Sequence, residues 1–287
     1  MVNKNQISTG TVYLNSPGGS LLAGIELGKA IRRGGFDTSV GRRPNDGGQA
    51  KDGGCYSACV FAYVGGGYRY SNGNSQIGVH RFSTAAPAST DLDMAQILSA
   101  AITNHLTAMG VDVALFERMV QAPSDGIIVL TKAEQKNMRV VNDGVLPATW
   151  ALVNTQGAIY LKGEQQTYRG LGKFIFNCVD GAVTGAAFYE GGSNAGTIAA
   201  TQRYSLRIDS QFLPMELHGP VGLLNGYVSA YFPLSTDQLR AIVAAQEVGF
   251  AFHPPNPDLF FGYTVNLADG RSKIVDFTKF CATQKKK

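Results

Sequence analysis

A serine hydroxyl attacks a carbonyl only when a neighbouring base takes its proton. In Gly53-Gly54-Cys55-Tyr56-Ser57-Ala58-Cys59 such a hydroxyl stands between two cysteines, on a glycine-preceded turn that runs into an apolar segment. In Ile77-Gly78-Val79-His80 an imidazole ends a second apolar run. Histidine is the usual base, and a carboxylate usually orients it. The oxyanion that forms needs backbone N–H donors, which glycine turns offer readily. The chain supplies each part: Gly18 and Gly19 follow a short β-rich run, Ala58 follows the serine, and Asp125 lies in Ala122-Pro123-Ser124-Asp125-Gly126. Acyl transfer to Ser57, with His80 as general base, is the chemistry this set could do. A lone serine or histidine in an apolar segment is more often structural, so the weight rests on the combination.

These residues need elements to hold them. Thr11 to Asn15 is rich in β formers and ends at Ser16-Pro17-Gly18-Gly19. From Ser20 to Arg33 apolar residues recur at helical spacing, and Gly34-Gly35 stops the helix. Asp37 to Gly41 reads as a strand, and Arg42 to Gly54 as a polar, Gly-rich loop. Tyr56 to Tyr63 is short and apolar, and its period fits strand or helix. Gln76 to Phe82 reads as a buried strand. Strands that alternate with helices imply a parallel sheet with crossover helices. Asp91 to Met109 reads as a helix with Leu92, Met94, Ile97, Leu98, Ala101, Ile102, Leu106 and Met109 on its apolar face. Val111 to Gln121 reads as a second helix, and Thr131-Lys132-Ala133-Glu134 starts a third with a capping-box pattern.

Beyond Trp150 the texture changes. Short alternating runs such as Lys173-Phe174-Ile175-Phe176 and Tyr204-Ser205-Leu206-Arg207-Ile208, separated by Gly and Asn turns, predict a sandwich or barrel. Helices return at Ser235 to Gln246 and at Arg271 to Cys281. The boundary is placed near Ala148, giving domains 1–148 and 149–287. The aromatics of the second domain, with Phe260, Phe261 and Tyr263, read mainly as core. It carries no catalytic motif.

Upstream and downstream of Ser57 the chain resembles one family. Leu14-Asn15-Ser16-Pro17-Gly18-Gly19-Ser20-Leu21, then Gly24-Ile25-Glu26-Leu27-Gly28 and Ile31, is similar to the strand–turn–helix of the ClpP and signal-peptide-peptidase group of serine peptidases, within the ClpP/crotonase superfamily. Cys55-Tyr56-Ser57-Ala58-Cys59 falls where that group carries its nucleophile, and Ile77-Gly78-Val79-His80 where it carries its histidine. Thr131 to Asp143 resembles the group's closing segment. Cysteines beside the serine, with Arg81-Phe82 after the histidine, look most like ClpP-like proteins of the bacterial periplasm. The resemblance covers roughly residues 11 to 145. It implies an α/β, ClpP/crotonase-like domain followed by a mainly β accessory domain. It also implies Ser57 as nucleophile, His80 as base, and an oxyanion hole from Gly18 or Gly19 with Ala58. The group's triad aspartate position holds Ile127 here, and Asp125, two residues earlier, is the candidate substitute. Asp143 reads as a cap and Asp52 as a loop residue. The group assembles into rings, which implies a homo-oligomer.

Composition and cysteines set the outer bounds. The net charge of +4 is mild, and part of it is the terminal Lys285-Lys286-Lys287, so nucleic acid is not expected as a partner. No apolar run reaches the roughly 18 residues of a membrane span, and Met1 to Gln6 leads into polar residues rather than an apolar leader. With no Cys/His cluster at ligand spacing, no metal is expected, and acyl transfer to serine needs no cofactor. His105 reads as a core or surface histidine, and His218 and His253 as structural or surface ones. Cys55 and Cys59 could be joined and brace the serine turn, could pack as small hydrophobes, or could be reactive thiols. Cys178 and Cys281 could staple the last helix to the β domain, or pack unpaired. Disulfides would place the protein in an oxidising compartment, periplasmic or otherwise exported. The expected function is a serine hydrolase acting on a peptide or protein. The alternative is a catalytically weak or inactive ClpP-like binding or scaffold protein of the cell envelope.

Overall fold

The computed structural model describes residues 9–44, 48–81, 91–123, 126–155, 157–256 and 259–284. The chain divides into two compact units, Met1–Gly144 and Val145–Lys287. The first is mixed α/β, with parallel and antiparallel pairing; the second is mostly β.

The first unit opens with β1 (Thr11–Leu14), α1 (Leu21–Arg33) and β2 (Asp37–Val40), a right place for the alternation read from the sequence. Next come β3 (Gly54–Tyr56), α2 (Ala58–Tyr63), β4 (Arg69–Tyr70) and β5 (Gln76–Val79). The apolar Tyr56–Tyr63 run is thus the end of a strand and then a helix, broken at Ser57. After these follow α3 (Asp91–Ala108), α4 (Ala114–Val120), β6 (Ile128–Val129) and α5 (Lys132–Asn137). A parallel sheet has the order β1-β2-β4, and a mixed one the order β3-β5-β6. A parallel bridge joins β1's continuation to β3: Ser16 N–H donates to Gly54 O at 2.8 Å, and Tyr56 N–H to Ser16 O at 3.0 Å. The β5–β6 pair is antiparallel, which corrects the expectation of an all-parallel sheet. Helix α4 also starts later than expected, because the Asp112 carboxylate accepts from Ala114 N–H and holds the preceding residues in a turn.

Helix α1 begins where Ser20 Oγ accepts from Ala23 N–H. Its Gly24 and Gly28 face α2 so closely that an added Cβ would lie 2.3 Å from Ala58 O and 2.2 Å from Phe61 O. Small residues on α1 therefore set the seat of α2. The far end of α2 is fixed by two guanidinium groups: Arg32 Nε donates to Gly65 O at 2.9 Å, and Arg69 Nη1 to Gly66 O at 3.2 Å. Burial of Arg69 lowers its pKa to about 10. The core beneath gathers Ile25, Val60, Phe61, Ile77, Ile102, Leu106 and Leu115. On α3, Ile102 and Leu106 are buried, as is Met109 just past its end, but Met94 and Ile97 are 48% and 62% exposed and do not belong to that face. The capping box of α5 forms as read, with Thr131 and Glu134 each serving the other's backbone.

The second unit holds β7 (Thr149–Thr155), β8 (Ala158–Thr167), β9 (Gly170–Val179), β10 (Ala182–Glu190), a short α6 (Ala195–Ala199), β11 (Arg203–Ile208), β12 (Gln211–Pro214), β13 (Gly222–Leu224), β14 (Tyr227–Pro233), α7 (Thr236–Ala244), β15 (Glu247–His253), β16 (Phe261–Asn266) and α8 (Arg271–Ala282). A six-stranded antiparallel sheet, β13-β14-β10-β9-β8-β7, and a four-stranded one, β12-β11-β15-β16, share one aromatic core. Alternation puts Phe174 and Phe176 of β9, Phe232 of β14 and Phe250 of β15 inside. Phe232 and Phe250 stack with centroids 4.7 Å apart. Asp180-Gly181 makes the tight β9–β10 turn with both φ angles positive, at 50° and 80°. Cys178 on β9 and Cys281 on α8 form a disulfide with Cα atoms 5.4 Å apart. Phe260 departs from the core reading: it is 40% exposed and packs edge-on against Phe212.

Candidate active site

Ser57 occupies the one residue between β3 and α2, with φ 57° and ψ −127°. That region is sparsely populated for a residue with a Cβ and costs on the order of 1–3 kcal/mol. Its effect on the side chain is direct. A serine at the N-cap ordinarily turns its oxygen onto the first helical N–H groups, yet Ser57 makes no such side-chain cap. Its Oγ lies 2.6 Å from His80 Nε2. Three restraints hold the turn: Ser57 N–H donates to Gly78 O at 2.9 Å, α1 seats Ala58, and Cys55 and Cys59 form a disulfide that spans the serine, with Cα atoms 5.3 Å apart. Both cysteines are buried and neither is a free thiol.

His80 follows β5, the parallel neighbour of β3, in a register that pairs Tyr56 with Gly78. Two adjacent strands thus deliver the serine and the histidine at the same end of one sheet, which explains how residues far apart in sequence meet. His80 Nδ1 lies 2.6 Å from the main-chain oxygen of Arg81. The Arg81 guanidinium donates to Ala122 O, from Nη2 at 3.0 Å.

The Ser16–Gly19 turn approaches from the side of β1. Asn15 Oδ1 accepts from Gly54 N–H at 2.9 Å, so the asparagine of the motif stitches β1 to the serine strand. Gly18 has φ 115°, and a Cβ there would lie 2.7 Å from Ser57 Cβ and 2.9 Å from Tyr56 O. Only glycine fits so close to the nucleophile turn. Gly18 N–H donates to Ser16 Oγ at 3.2 Å, which leaves Gly19 as the turn's other donor. Ala58 opens α2, so its N–H has no acceptor within the helix. A cavity of about 290 Å³ opens beside these groups, lined by Gly19, Ser57, Ala58, Phe61, His80 and Met119 among others. A second, of about 190 Å³, lies along Leu14, Gly18, Leu27 and Cys59.

Among the described residues, other candidates have partners of their own outside this cluster. Asp125 lies outside the described residues. Asp52 accepts from Asn74 N–H at 3.1 Å, and Asp143 pairs with Lys136 at 3.0 Å, both structural roles. Ile127 is exposed, with its Cγ2 beside Gly78. His105 is buried and faces Phe61 O from Nε2 at 2.9 Å; burial lowers its pKa. His218 is exposed. His253 meets Ser205, a pairing that the sequence reading missed: Ser205 Oγ and His253 Nε2 are 2.9 Å apart. The strand period could have shown it, since the two residues share a face once the β11–β15 register is known. Arg81 was also missed as a partner of His80, because a main-chain oxygen leaves no trace in residue type.

Comparisons with known proteins add little. No protein-family model matches the chain, and no curated protein matches it. Among solved structures, invasion associated protein b from Bartonella henselae is similar over 48% of this chain and 96% of its own, at 12% identity and a TM-score of 0.37. A mutant of the membrane-bound stomatin-specific protease 1510-N is similar over 49% of this chain and 65% of its own, at 16% identity and a TM-score of 0.36. Likenesses at this level carry no argument about function. Among the described residues no helix is long and apolar enough to cross a membrane.

Proposed function

We propose that the chain is a serine hydrolase of ClpP-like type that acts on peptide or protein substrates. The observation that carries this reading is the 2.6 Å contact between Ser57 Oγ and His80 Nε2, made by a serine whose backbone directs it away from its own helix. Ser57 Oγ attacks the substrate carbonyl carbon as its proton passes to His80 Nε2. The carbonyl oxygen becomes an oxyanion facing the N–H groups of Gly19 or Gly18 and Ala58. Collapse breaks the C–N bond, and the leaving amine takes the proton from His80. Water then attacks the acyl-serine and gives a proton to His80; collapse breaks the ester C–O bond, releases the carboxylic acid, and returns the proton from His80 to Ser57 Oγ. Neither metal nor cofactor enters these steps. The two disulfides fit an exported, oxidising setting such as the periplasm, and a homo-oligomer belongs to the same reading.

A second reading is a ClpP-like binding or scaffold protein of the cell envelope with weak or no catalysis. One observation favours it: Gly18 N–H is already held by Ser16 Oγ, so one oxyanion donor is engaged. A fluorophosphonate probe separates the two. Under the hydrolase reading Ser57 is labelled between about pH 6 and pH 9, and Ser57→Ala and His80→Ala abolish the adduct. A folded sample that takes no label across that range leaves only the scaffold.

A further inference from the structure

Both ring nitrogens of His80 are engaged, and the chemistry of the partners says where the proton sits. Nδ1 lies 2.6 Å from the main-chain oxygen of Arg81. A carbonyl oxygen can only accept, so this contact puts the proton on Nδ1 and leaves the Nε2 lone pair for the Ser57 hydroxyl. In a serine–histidine–aspartate site a carboxylate performs that task. We propose that the main-chain carbonyl of Arg81 takes the carboxylate's place here, and that Arg81 is the positioning residue that keeps it there. The inference rests on the hydrolase reading above.

The hold comes from the same residue's side chain. Arg81 Nε and Nη2 both donate to Ala122 O, at 3.3 and 3.0 Å. Ala122 is fully buried and its own N–H donates to Met119 O at 3.1 Å, at the end of α4. It also precedes Pro123, which narrows its backbone freedom. The acceptor is therefore fixed to the core, and the guanidinium ties the segment after β5 to it. A cation on a carbonyl at a helix C-terminal end is favourable in its own right. The carbonyl must point at Nδ1 only while the chain on either side is held, so losing the tie should let the imidazole turn and its tautomers mix. A neutral carbonyl also stabilises an imidazolium less than a carboxylate does, because charge-assisted hydrogen bonds are roughly twice as strong as neutral ones. The site should accordingly turn over slowly, and should do so without a carboxylate.

The test uses the full chain with two readouts. The first is the protonation of the His80 ring nitrogens by nitrogen NMR, with His80→Ala for assignment. The wild type should show the neutral ring protonated at Nδ1, and Arg81→Ala should show a mixture of tautomers. The second is the rate of fluorophosphonate labelling of Ser57. Arg81→Ala should slow it by about tenfold or more, the scale of a small misplacement of a catalytic group. Arg81→Lys, which keeps a donor for Ala122 O, should recover part of the loss, and also serves if Arg81→Ala does not fold. Asp125→Asn should slow labelling less than Arg81→Ala does. A wild-type ring protonated at Nε2, or tautomers that ignore Arg81→Ala, would overturn the proposal. So would Asp125→Asn slowing labelling as far as His80→Ala while Arg81→Ala does not. If the wild type takes no label at all, the hydrolase reading fails, and the ring-nitrogen signals still decide the Arg81 contact.

Discussion

Among the described residues two serine–histidine pairs occur, one in each unit, and their contact distances are close: 2.6 Å for Ser57 with His80 and 2.9 Å for Ser205 with His253. Their surroundings differ in kind. Ser205 lies within β11, which has β12 on one side and β15 on the other, so the ladders take up the backbone N–H groups around it. Ser57 stands where the chain has left β3 and not yet entered the hydrogen-bonding of α2, so free donors lie next to the hydroxyl. Ser205 is 6% exposed, and the ring of His253 is flanked by Phe212 and Phe260. Ser57 opens on a cavity. The lesson is that a serine–histidine contact by itself carries little information. Unpaired donors and space for a carbonyl are what turn it into a site, and a sheet interior offers neither.

Removing each serine in turn should give the largest contrast between the two pairs. Ser57→Ala should reduce hydrolysis by at least about 10⁴-fold, the scale of nucleophile loss in serine hydrolases. Ser205→Ala should leave it within about twofold, as expected for a serine whose strand ladders leave no free donors beside it. Equal losses would erase the distinction drawn between the pairs.

The disulfides sharpen the same contrast. Cys178→Ser with Cys281→Ser opens a sequence separation of 103 residues and should cost the second unit about 4–5 kcal/mol in the chain-entropy relation, read from denaturant unfolding. Cys55 and Cys59 are 4 apart, and their loss should cost only about 2 kcal/mol by that relation. Labelling of Ser57 should slow in the latter variant and not in the former.

Gly18→Ala comes next. It adds a Cβ 2.7 Å from Ser57 Cβ at a backbone of φ 115°, so the two turns must part. A shift of that kind should slow labelling by about 100-fold, with unfolding measured alongside to show that the unit still folds.

The smallest effect concerns pH. His253 has its pKa lowered by burial first and by the charge of Arg203 second. The unfolded chain then binds the proton more readily than the folded one, so stability rises with pH in that window. Its contribution is complete above the ordinary imidazole value of about 6.5 and fades as pH falls below it. Unfolding midpoints should drop on acidification, and His253→Gln should flatten part of that slope. His105, also lowered by burial, should behave alike in the first unit.

Much of the elements was legible in the chain. The period of α1, its Gly34-Gly35 stop, the capping box at Thr131 and the alternation of β9 all follow from local rules that act within a few residues. The sequence offered Ser57 and His80 as candidates because one opens and the other ends an apolar run, and the structure brings their side chains to 2.6 Å. Less could be read where a residue's role depends on a distant partner. Met94 and Ile97 fit the apolar period of α3 but face outward, because period marks a face without marking how much of it is covered. The antiparallel β5–β6 pairing and the Ser205–His253 contact needed a register between strands.

By itself, then, the sequence determined the succession of elements, the glycines that permit close approach, and the types of residue able to do acyl chemistry. Those are properties of local sterics and spacing. The tertiary structure alone decided that β3 and β5 lie side by side, that Ser57 turns its oxygen onto His80 and not onto its helix, and that both cysteine pairs close. It alone also put a main-chain oxygen at Nδ1 of that histidine. Each of these depends on which strand becomes whose neighbour, a choice made by burying the whole core at once.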